Sequence, residues 1–296
     1  MSSIKSLLNE GTRLLSVPCR TASVTSPGLD AALLLAYVLD CRREDLLKNY
    51  GDPVSGADCQ KYLQLIAGRI SGECVAYITG HREFYSLDFI VTKDVLVPRP
   101  DTEILAEKAL EYIDNIKHGN EKIPVLDLCT GSGILAITLK KMKPELEVYA
   151  SDISAPALET ARRNAAKLLN PEHGTVKFIQ SDLFENSKLS ETGTGKFRMI
   201  ITNPPYVKTA DIDTLSPEVR MEPKIALAGG TDGLDIIKKI IDRAKDHLHP
   251  QGILMMEADP GQMREISFWL KKSDYGEIRV FTDLAGNERV IAAGKN

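Results

Sequence analysis

Residues 124–133 read PVLDLCTGSG, a short apolar run that leads into a turn containing two glycines. A run of this length is typical of a buried strand, and glycine allows the backbone to turn tightly and to approach a ligand closely. A helix that begins after Gly133 would direct its amide-rich N-terminus into the same crevice. This stretch therefore predicts the first strand–turn–helix unit of a nucleotide-binding α/β domain.

Strand-like and helix-like segments alternate on both sides of this unit. The predicted strands are 123–128, 146–151, 176–181, 198–202, 252–258, 277–283 and 289–293, and the predicted helices are 102–117, 133–142, 155–169, 233–248 and 262–272. Such alternation predicts a mostly parallel sheet covered by helices on both faces. Gly286-Asn287 makes a tight turn between the last two strands, which must then pair antiparallel. A parallel sheet that ends in an antiparallel hairpin resembles the seven-stranded Rossmann-like methyltransferase fold.

The first hundred residues have a different pattern. Leucines recur at helical spacing near the N-terminus, and Ser26-Pro27 is a typical helix start. From 84 to 97 apolar residues alternate with polar ones, around a turn at Lys93-Asp94, which predicts a β-hairpin. The predicted organisation is an all-α domain at 1–80, a hairpin linker at 81–100 and an α/β domain at 101–296.

Composition limits the classes of function. The chain has 296 residues and a net charge of −4, with no global excess of basic residues for gripping nucleic acid. The five cysteines are Cys19, Cys41, Cys59, Cys74 and Cys129; their odd number and wide spacing favour neither disulfides nor a zinc site. The N-terminal residues lack a signal-peptide core, and no long apolar run occurs. We expect a cytoplasmic monomer with no metal, membrane or direct DNA binding.

The predicted nucleotide site continues at the end of the next strand. Asp152 lies 19 residues after Gly133, where a carboxylate can accept both ribose hydroxyls of an adenosine. Residues 131–136 also satisfy the dinucleotide pattern GxGxxA, so NAD and S-adenosylmethionine are comparable on these residues. Asp127 favours S-adenosylmethionine, because a carboxylate there can meet the amino group of a methionine moiety but would repel a pyrophosphate.

The third strand supplies a candidate adenine site. Asp182 follows this strand and can accept from the adenine amino group, while Leu183 or Phe184 can pack on the ring. The complete predicted cofactor set is Asp127, Cys129, Thr130, Gly131, Ser132, Gly133, Asp152, Asp182, Leu183 and Asn203.

The fourth strand ends in the tetrapeptide Asn203-Pro204-Pro205-Tyr206, the candidate catalytic element. Two successive prolines stiffen the backbone and leave the Pro204 carbonyl free to accept from a ligand. With the Asn203 side-chain oxygen, this makes two acceptors that match the hydrogens of an NH2 group, and Tyr206 offers a flat face for a planar group. The arrangement predicts methyl transfer to an amide or exocyclic amine, because two acceptors increase electron density on that nitrogen and aim its lone pair.

Several further motifs resemble one family, the HemK/PrmC protein-(glutamine-N5) methyltransferases, over nearly the whole chain. The matching segments are 72–73, 76–80, 83–85, 97–103, 127–133, 203–206, 219–220, 222–223 and 287–290. The segment 97–103, VPRPDTE, is the most specific of these, because NPPY is also found in amino-methylating DNA enzymes.

The resemblance implies a five-helix substrate-recognition domain, the methyl donor S-adenosylmethionine with S-adenosylhomocysteine as product, and a glutamine substrate in the Gly-Gly-Gln motif of class I peptide chain release factors. It implies that Asn203 and the Pro204 carbonyl hold the glutamine amide, while Pro205 and Tyr206 shape its slot. Phe84 and Arg99 are expected to form part of the substrate wall. The chain departs from the family pattern at Cys129 and Asp259, where glycine is usual, and at Cys74, where proline is common.

Two other functions remain open on sequence alone. A nucleic-acid amino-methyltransferase acting on adenine N6 or cytosine N4 would use the same NPPY element on a flipped base, although the balanced charge argues against it. A non-catalytic nucleotide-binding or ribosome-associated adaptor would have no use for the pair of acceptors.

Overall fold

The computed structural model describes residues 2–17, 24–116, 122–190 and 196–296. The helices are α1 (Ile4–Leu15), α2 (Pro27–Val38), α3 (Arg43–Lys48), α4 (Gly56–Ile70), α5 (Val75–Thr79), α6 (Thr102–Asn115), α7 (Ile134–Met142), α8 (Ala155–Leu168), α9 (Pro217–Arg220), α10 (Lys224–Leu227), α11 (Asp235–His247) and α12 (Met263–Lys272). The strands are β1 (His81–Phe84), β2 (Leu87–Ile90), β3 (Pro124–Leu128), β4 (Glu147–Asp152), β5 (Lys177–Gln180), β6 (Phe197–Thr202), β7 (Leu248–Glu257), β8 (Tyr275–Thr282) and β9 (Glu288–Lys295). Among the described residues, none of these helices combines the length and apolar character needed to cross a membrane.

The chain forms two compact units. The first comprises Met1–His81 together with Asp213–Glu222, and the second comprises Arg82–Ile212 together with Pro223–Asn296.

The first unit is a helical bundle, which confirms the predicted N-terminal helical domain. Helices α1, α2 and α4 enclose a core that contains fully buried Leu7, Leu34 and Tyr62. The segment Asp213–Glu222 joins this unit through Arg69 of α4, which is 3% exposed. Its guanidinium pairs with Asp30 at 2.8 Å and with Glu218 of α9 at 2.6 Å. A buried cation of this kind requires both partners, because an unpaired charge is costly to desolvate.

The second unit contains a seven-stranded sheet with the order β5-β4-β3-β6-β7-β9-β8. The first five strands in this order pair in parallel, whereas β9 pairs antiparallel with both β7 and β8. The predicted α/β fold and the antiparallel end of the sheet are therefore confirmed. The chain extends the sheet from β3 in one direction and then returns to its other side with β6, so a crevice opens at the carboxyl ends of β3 and β6.

Helices cover both faces of this sheet, as parallel strands require. One buried layer joins α11 and α12 to side chains such as Leu126, and the other joins α6 and α7 to side chains such as Val125. Adjacent residues of β3 thus enter opposite layers, which explains why its five residues are all buried.

The predicted turn of the early hairpin is wrong. The sequence pattern places it at Lys93-Asp94, whereas the structure places it at Tyr85-Ser86, between β1 and β2. Both turn residues have positive φ, 51° and 59°, which is the geometry of a two-residue hairpin turn. Neither is Gly, Asn or Asp, so the turn carried no sequence signal. The Tyr85 amide donates to Glu103 Oε1 at 2.8 Å, an interaction that holds this turn in place.

Candidate active site

A cavity of about 250 Å³ lies at the carboxyl ends of the parallel strands, within the second unit. Each of the turns after β3, β4, β5 and β6 contributes to its wall. Of the residues predicted from sequence, the wall contains Cys129, Thr130, Gly131, Ser132, Asp152, Asp182, Leu183, Asn203, Pro205 and Arg99. Residues distant in the chain are thus brought together where ligands bind in open α/β sheets.

The two glycines of the turn after β3 have different roles. A Cβ on Gly131 would meet nothing within 4 Å, so this position leaves open space beside the cavity wall. A Cβ on Gly133 would lie 2.8 Å from Ile137 Cδ1 and 3.1 Å from Ala161 Cβ. Gly131 therefore fits the expectation of close ligand approach, whereas Gly133 allows α7 and α8 to pack.

Cys129 has a φ of 61°, which lies in the left-handed region. Glycine adopts this conformation without strain, and this explains why glycine is usual at the position. Burial raises the pKa of the Cys129 thiol, so it remains protonated. The side chain is a neutral part of the cavity wall.

Asp127 is fully buried and is absent from the cavity wall. Its Oδ2 accepts from the Thr130 hydroxyl at 2.5 Å and from the Ala136 amide at 3.0 Å, while Oδ1 has no partner among the described residues. Burial raises its pKa to about 7. The carboxylate thus holds the glycine turn against the first turn of α7, and its predicted contact with a methionine amino group stays a prediction.

Asp152 ends β4 at the cavity wall. Its Oδ2 accepts from the Gly131 amide at 2.8 Å, and its Oδ1 accepts from the Ser154 amide at 2.9 Å. These two bonds fix the plane of the carboxylate, and burial raises its pKa. A fixed carboxylate with remaining lone pairs suits the predicted contact with ribose hydroxyls.

The turn after β5 divides its two apolar residues between the cavity and the core. Leu183 lines the cavity beside exposed Asp182, as expected for an adenine site. Phe184 is 4% exposed and stacks on His247 with ring centroids 4.6 Å apart. The structure therefore leaves Leu183 as the candidate for packing on a base.

The NPPY element follows β6 directly. Asn203 lines the cavity, and its Nδ2 donates to the Thr102 hydroxyl at 3.1 Å. Its Oδ1 is buried with no partner in the part of the chain that the structure describes. A buried acceptor without a donor is costly, so its free lone pairs point to a ligand that donates.

The rest of the tetrapeptide is held rigidly. Pro204 is buried and Pro205 lines the cavity. The Tyr206 carbonyl accepts from Gln262 Nε2 at 3.0 Å, and a Cβ on Gly229 would lie 2.8 Å from the Pro205 carbonyl oxygen. Only glycine at position 229 allows the returning chain to pack this closely on the tetrapeptide.

Glu257, at the end of β7, contacts the tetrapeptide, although the sequence analysis did not predict a role for it. Its side chain is 2% exposed, and its Oε1 accepts from the Tyr206 hydroxyl at 3.4 Å. Burial raises its pKa to about 7. The available signal was an acidic residue at the end of the apolar strand ILMME.

The family-specific segment 97–103 connects three parts of the second unit. Asp101 pairs with Arg289 at 3.2 Å, Thr102 contacts Asn203, and Glu103 accepts from the Tyr85 amide. Arg289 also pairs with Asp283, whose pKa is lowered to about 2 by donors from Asn287 and Arg289. This explains why residues 97–103 and 287–290 carry the resemblance together.

Three of the predicted catalytic and substrate-binding residues are absent from the cavity wall. Phe84 is 1% exposed and packs edge-on against Phe89, so it belongs to the core of the second unit. Pro204 and Tyr206 lie in the tetrapeptide without lining the cavity themselves. Arg99, by contrast, does line it.

The two other departures from the family pattern are compatible with the structure. Cys74 has a φ of −68°, which proline also adopts, and it precedes α5. Asp259 has a φ of −66°, and its side chain accepts from the Gly261 amide at 2.8 Å. Cys41, Cys59, Cys74 and Cys129 are free, and Cys19 lies outside the described residues. No cluster of potential metal ligands occurs in the described ranges.

The sheet order, the glycine turn and the NPPY element at one cavity define a Rossmann-like methyltransferase. Solved structures agree on the fold. The catalytic domain of hMettl16, solved in complex with the MAT2A 3'UTR hairpin 1, has a TM-score of 0.55 at 13% identity over 83% of this chain and 84% of that chain. A methyltransferase from Pyrococcus furiosus has a TM-score of 0.50 at 18% identity over 79% of this chain and 98% of that chain.

Two family models match the chain: the PrmC N-terminal domain at residues 6–80 and the methyltransferase small domain at residues 107–218. Relatives named release factor glutamine methyltransferase are similar over nearly the full length. The Koribacter versatilis protein is 40% identical over 93% of each chain. The Burkholderia pseudomallei protein is 38% identical over 88% of this chain and 90% of its own, and the Moorella thermoacetica protein is 35% identical over 98% of each. The chain belongs to the release factor glutamine methyltransferase family.

Proposed function

We propose that this enzyme transfers a methyl group from S-adenosylmethionine to the side-chain amide nitrogen, N5, of the glutamine in the Gly-Gly-Gln motif of class I peptide chain release factors. The observation that carries the proposal is the Asn203 side chain: its Nδ2 is held by Thr102, while its Oδ1 is buried beside the cavity and has no partner among the described residues. An amide NH2 supplies the missing donor. The relatives are named release factor glutamine methyltransferase, and this name indicates which protein carries the amide.

The residues of the cavity fit S-adenosylmethionine. Gly131 leaves open space beside the wall, Asp152 presents a carboxylate fixed by two backbone amides, and Leu183 offers an apolar surface for a base. Ser151 adds a buried hydroxyl oxygen without a partner in the described residues. When bound, S-adenosylmethionine supplies an activated sulfonium methyl group and leaves as S-adenosylhomocysteine. Asp152 would hold the ribose, and Asp182 the adenine amino group.

The chain itself positions the weakly nucleophilic amide. Asn203 Oδ1 and the Pro204 carbonyl would accept the two N–H groups, which increases electron density on nitrogen and aims its lone pair. Pro205 lines the cavity and would restrict the plane in which the amide lies, while Tyr206 would support it from behind the wall. The new N–C bond forms as the S–C bond breaks, and the nitrogen then loses a proton to water, because the methylated cationic amide is strongly acidic. No strong base is required.

The test is a transfer assay with radiolabelled S-adenosylmethionine offered in parallel to a purified class I release factor, duplex DNA and RNA. We expect label in the release factor alone. A release factor whose Gly-Gly-Gln glutamine is replaced by alanine is the matched substrate control and should remain unlabelled. Label in DNA or RNA with none in the release factor would contradict the proposal and favour amino-methylation of nucleic acid.

We also propose that the helical unit recognises the release factor. Every residue that lines the cavity belongs to the second unit, so the chemistry does not account for the first. The helical unit exposes large apolar side chains, including Leu47 of α3 at 62% and Tyr50, which follows α3, at 40%. Exposed apolar residues that lie together are typical of protein-binding surfaces.

The double variant Leu47→Ser with Tyr50→Ser tests this role. We expect the KM for the whole release factor to rise about tenfold, the loss of one apolar contact region at an interface. The KM for a short Gly-Gly-Gln peptide should stay unchanged. Equal KM values for the release factor in variant and wild type would assign recognition to another surface.

We propose that the enzyme acts as a monomer in the cytoplasm, where release factors function. Sedimentation at assay concentration tests whether it is a monomer.

A further inference from the structure

The side chain of Gln262 holds two backbone carbonyl groups beside the tetrapeptide. Its Nε2 donates to the Tyr206 carbonyl at 3.0 Å and to the Gly233 carbonyl at 3.3 Å. Its Oε1 accepts from the Asp259 backbone amide at 3.3 Å. Gln262 is half-buried at the end of the short 3₁₀ helix Pro260–Gln262 and lies 56 residues after Tyr206 in the chain. One side chain therefore joins the tetrapeptide after β6 to the segment after β7.

The amide of Gln262 can bond these partners in only one orientation. A carbonyl oxygen only accepts, so the NH2 group must face Tyr206 and Gly233, and a backbone amide only donates, so the side-chain oxygen must face Asp259. All of these groups are uncharged, so the arrangement does not depend on the ionisation of any partner. The Asp259 side chain accepts from the Gly261 amide at 2.8 Å and thereby fixes the short helix that carries the glutamine.

The backbone around Tyr206 is packed too closely for another group to replace this donor. A Cβ on Gly233 would lie 2.4 Å from the Tyr206 carbonyl oxygen and 2.6 Å from Gln262 Nε2. A Cβ on Gly229 would lie 2.8 Å from Tyr206 Cα. Both glycines are buried. The returning chain thus leaves no room for a methyl group on this side of the tetrapeptide, and Gln262 supplies the hydrogen bond that the enclosed carbonyl needs.

We propose that Gln262 is a positioning residue for methyl transfer, because it fixes the backbone of the tetrapeptide at its last carbonyl group. The Asn203 side-chain oxygen and the Pro204 carbonyl then keep the separation that the glutamine amide requires. The inference rests on the proposed function, which assigns these two acceptors to the amide. Gln262 is absent from the cavity wall, so it acts through the tetrapeptide. Two successive prolines are stiff, so a displacement at Tyr206 is passed on toward Asn203.

Two variants of Gln262 test this role. Gln262→Met removes the donor at similar side-chain length and adds no charge. We expect kcat on the release factor to fall about tenfold, since a misplacement of about 1 Å in a reacting group can cost about 100-fold. Gln262→Glu places a carboxylate oxygen against two carbonyl oxygens and should lower kcat about 10- to 100-fold.

The affinity for S-adenosylmethionine separates positioning from general damage to the fold. Calorimetry should give wild-type Kd values for both variants, because the proposed ribose and adenine contacts lie after β4 and β5. Gln251→Met and Gln251→Glu are the matched controls, at an exposed glutamine near the start of β7. They should retain wild-type kcat and Kd.

A double-mutant cycle with Asn203→Ala gives the readout that a merely structural role would not move. If Gln262 acts by placing Asn203, its loss should matter little once the Asn203 acceptor is absent. We expect Gln262→Met to lower kcat by only about twofold in the Asn203→Ala background, compared with about tenfold in wild type. A further tenfold loss in that background would mean that the two residues act independently, and it would overturn the inference.

Two other outcomes would also overturn it and leave the proposed function intact. One is wild-type kcat in Gln262→Met and Gln262→Glu. The other is a Kd for S-adenosylmethionine that weakens as much as kcat falls, which would assign Gln262 to the stability of the whole cavity. A wild-type enzyme that methylates no glutamine would instead remove the proposed function.

Discussion

Two buried carboxylates lie near the carboxyl ends of strands in the same sheet, Asp127 on β3 and Glu257 on β7. Both are at most 2% exposed, both have a pKa raised to about 7 by burial, and both keep one oxygen unpartnered in the described residues. Their partners differ. Asp127 accepts from the Ala136 backbone amide and from Thr130 in its own turn, whereas Glu257 accepts from the Tyr206 hydroxyl of the tetrapeptide.

Asp127 therefore fixes the backbone of a turn, whereas Glu257 fixes a side chain. A backbone amide has a fixed donor direction, so Asp127 stabilises one conformation of the turn that borders the cofactor cavity. A hydroxyl group can rotate, so the carboxylate of Glu257 fixes the direction of the Tyr206 side chain in the tetrapeptide. The turn after β3 is thus expected to govern cofactor affinity, and the tetrapeptide after β6 to govern turnover.

Asn203→Ala should have the largest effect, and it would show that turnover depends on the tetrapeptide after β6. We expect kcat to fall by about 10²–10³-fold, because one positioned acceptor is lost from the reacting amide. Calorimetric affinity for S-adenosylmethionine should change little. Asn170→Ala, at an exposed asparagine that caps a short helix, is the matched control. Near-wild-type turnover in Asn203→Ala would remove the mechanism.

Asp152→Ala should show the opposite split. Loss of the fixed carboxylate removes the predicted ribose contact and two backbone hydrogen bonds. We expect the Kd for S-adenosylmethionine to rise about 10- to 100-fold, the loss of hydrogen bonds to one charged group, while kcat at saturating cofactor changes less. An unchanged Kd by calorimetry would show that the ribose assignment is wrong.

Asp127→Asn sharpens the comparison between the two carboxylates. Burial raises the Asp127 pKa to about 7, so the carboxyl group is mostly protonated at pH 5, where an amide of the same shape should change the unfolding free energy by less than about 1 kcal/mol. At pH 8 the wild-type carboxylate is ionised and the amide carries no charge, so we expect cofactor binding to weaken a few-fold. The kcat at saturating cofactor should be unchanged. A fall in kcat as large as that of Asn203→Ala would abolish the distinction drawn between the two carboxylates.

The smallest expected effect is on pH-dependent stability. The folded pKa of Glu257 is raised above its ordinary value, so the folded state binds more protons between about pH 4.5 and pH 7 and stability falls as pH rises through that window. Glu257→Gln removes this dependence. Its stability relative to wild type should therefore improve by about 1–3 kcal/mol between pH 5 and pH 8, measured by denaturant unfolding. A pH-independent difference would mean that Glu257 ionises with an ordinary pKa.

The fold was largely predictable because its signals are local. Apolar runs such as 124–128 and the turn at Gly286-Asn287 mark strands and their pairing without knowledge of distant contacts. Much of the cofactor wall was predictable for a related reason: in a parallel sheet, residues that follow different strands meet at one edge. The hairpin turn at Tyr85-Ser86 was missed because its residues adopt positive φ without Gly, Asn or Asp.

The residues that support the site could not be predicted in the same way. Glu257 bonds Tyr206 and Thr102 bonds Asn203 across long separations in the chain, and no spacing in the sequence indicates which buried polar groups will meet. The resemblance placed Phe84 in the substrate wall, whereas the structure packs it in the core of the second unit, because a motif residue can be shared within a family for packing as well as for binding. The two glycines of the turn after β3 show the same limit. The sequence predicted that both allow close approach of a ligand, but only Gly131 lies beside the cavity, whereas Gly133 lies between two helices.

The central claim is that Asn203 presents a glutamine amide to the methyl donor. The most direct measurement is peptide-level mass spectrometry of a class I release factor after incubation with S-adenosylmethionine and wild type, Asn203→Ala or Asn170→Ala. The account predicts one added methyl group on the Gly-Gly-Gln glutamine with wild type and Asn170→Ala, and almost none with Asn203→Ala. Methylation at another residue, or equal methylation of that glutamine by all three proteins, would contradict it.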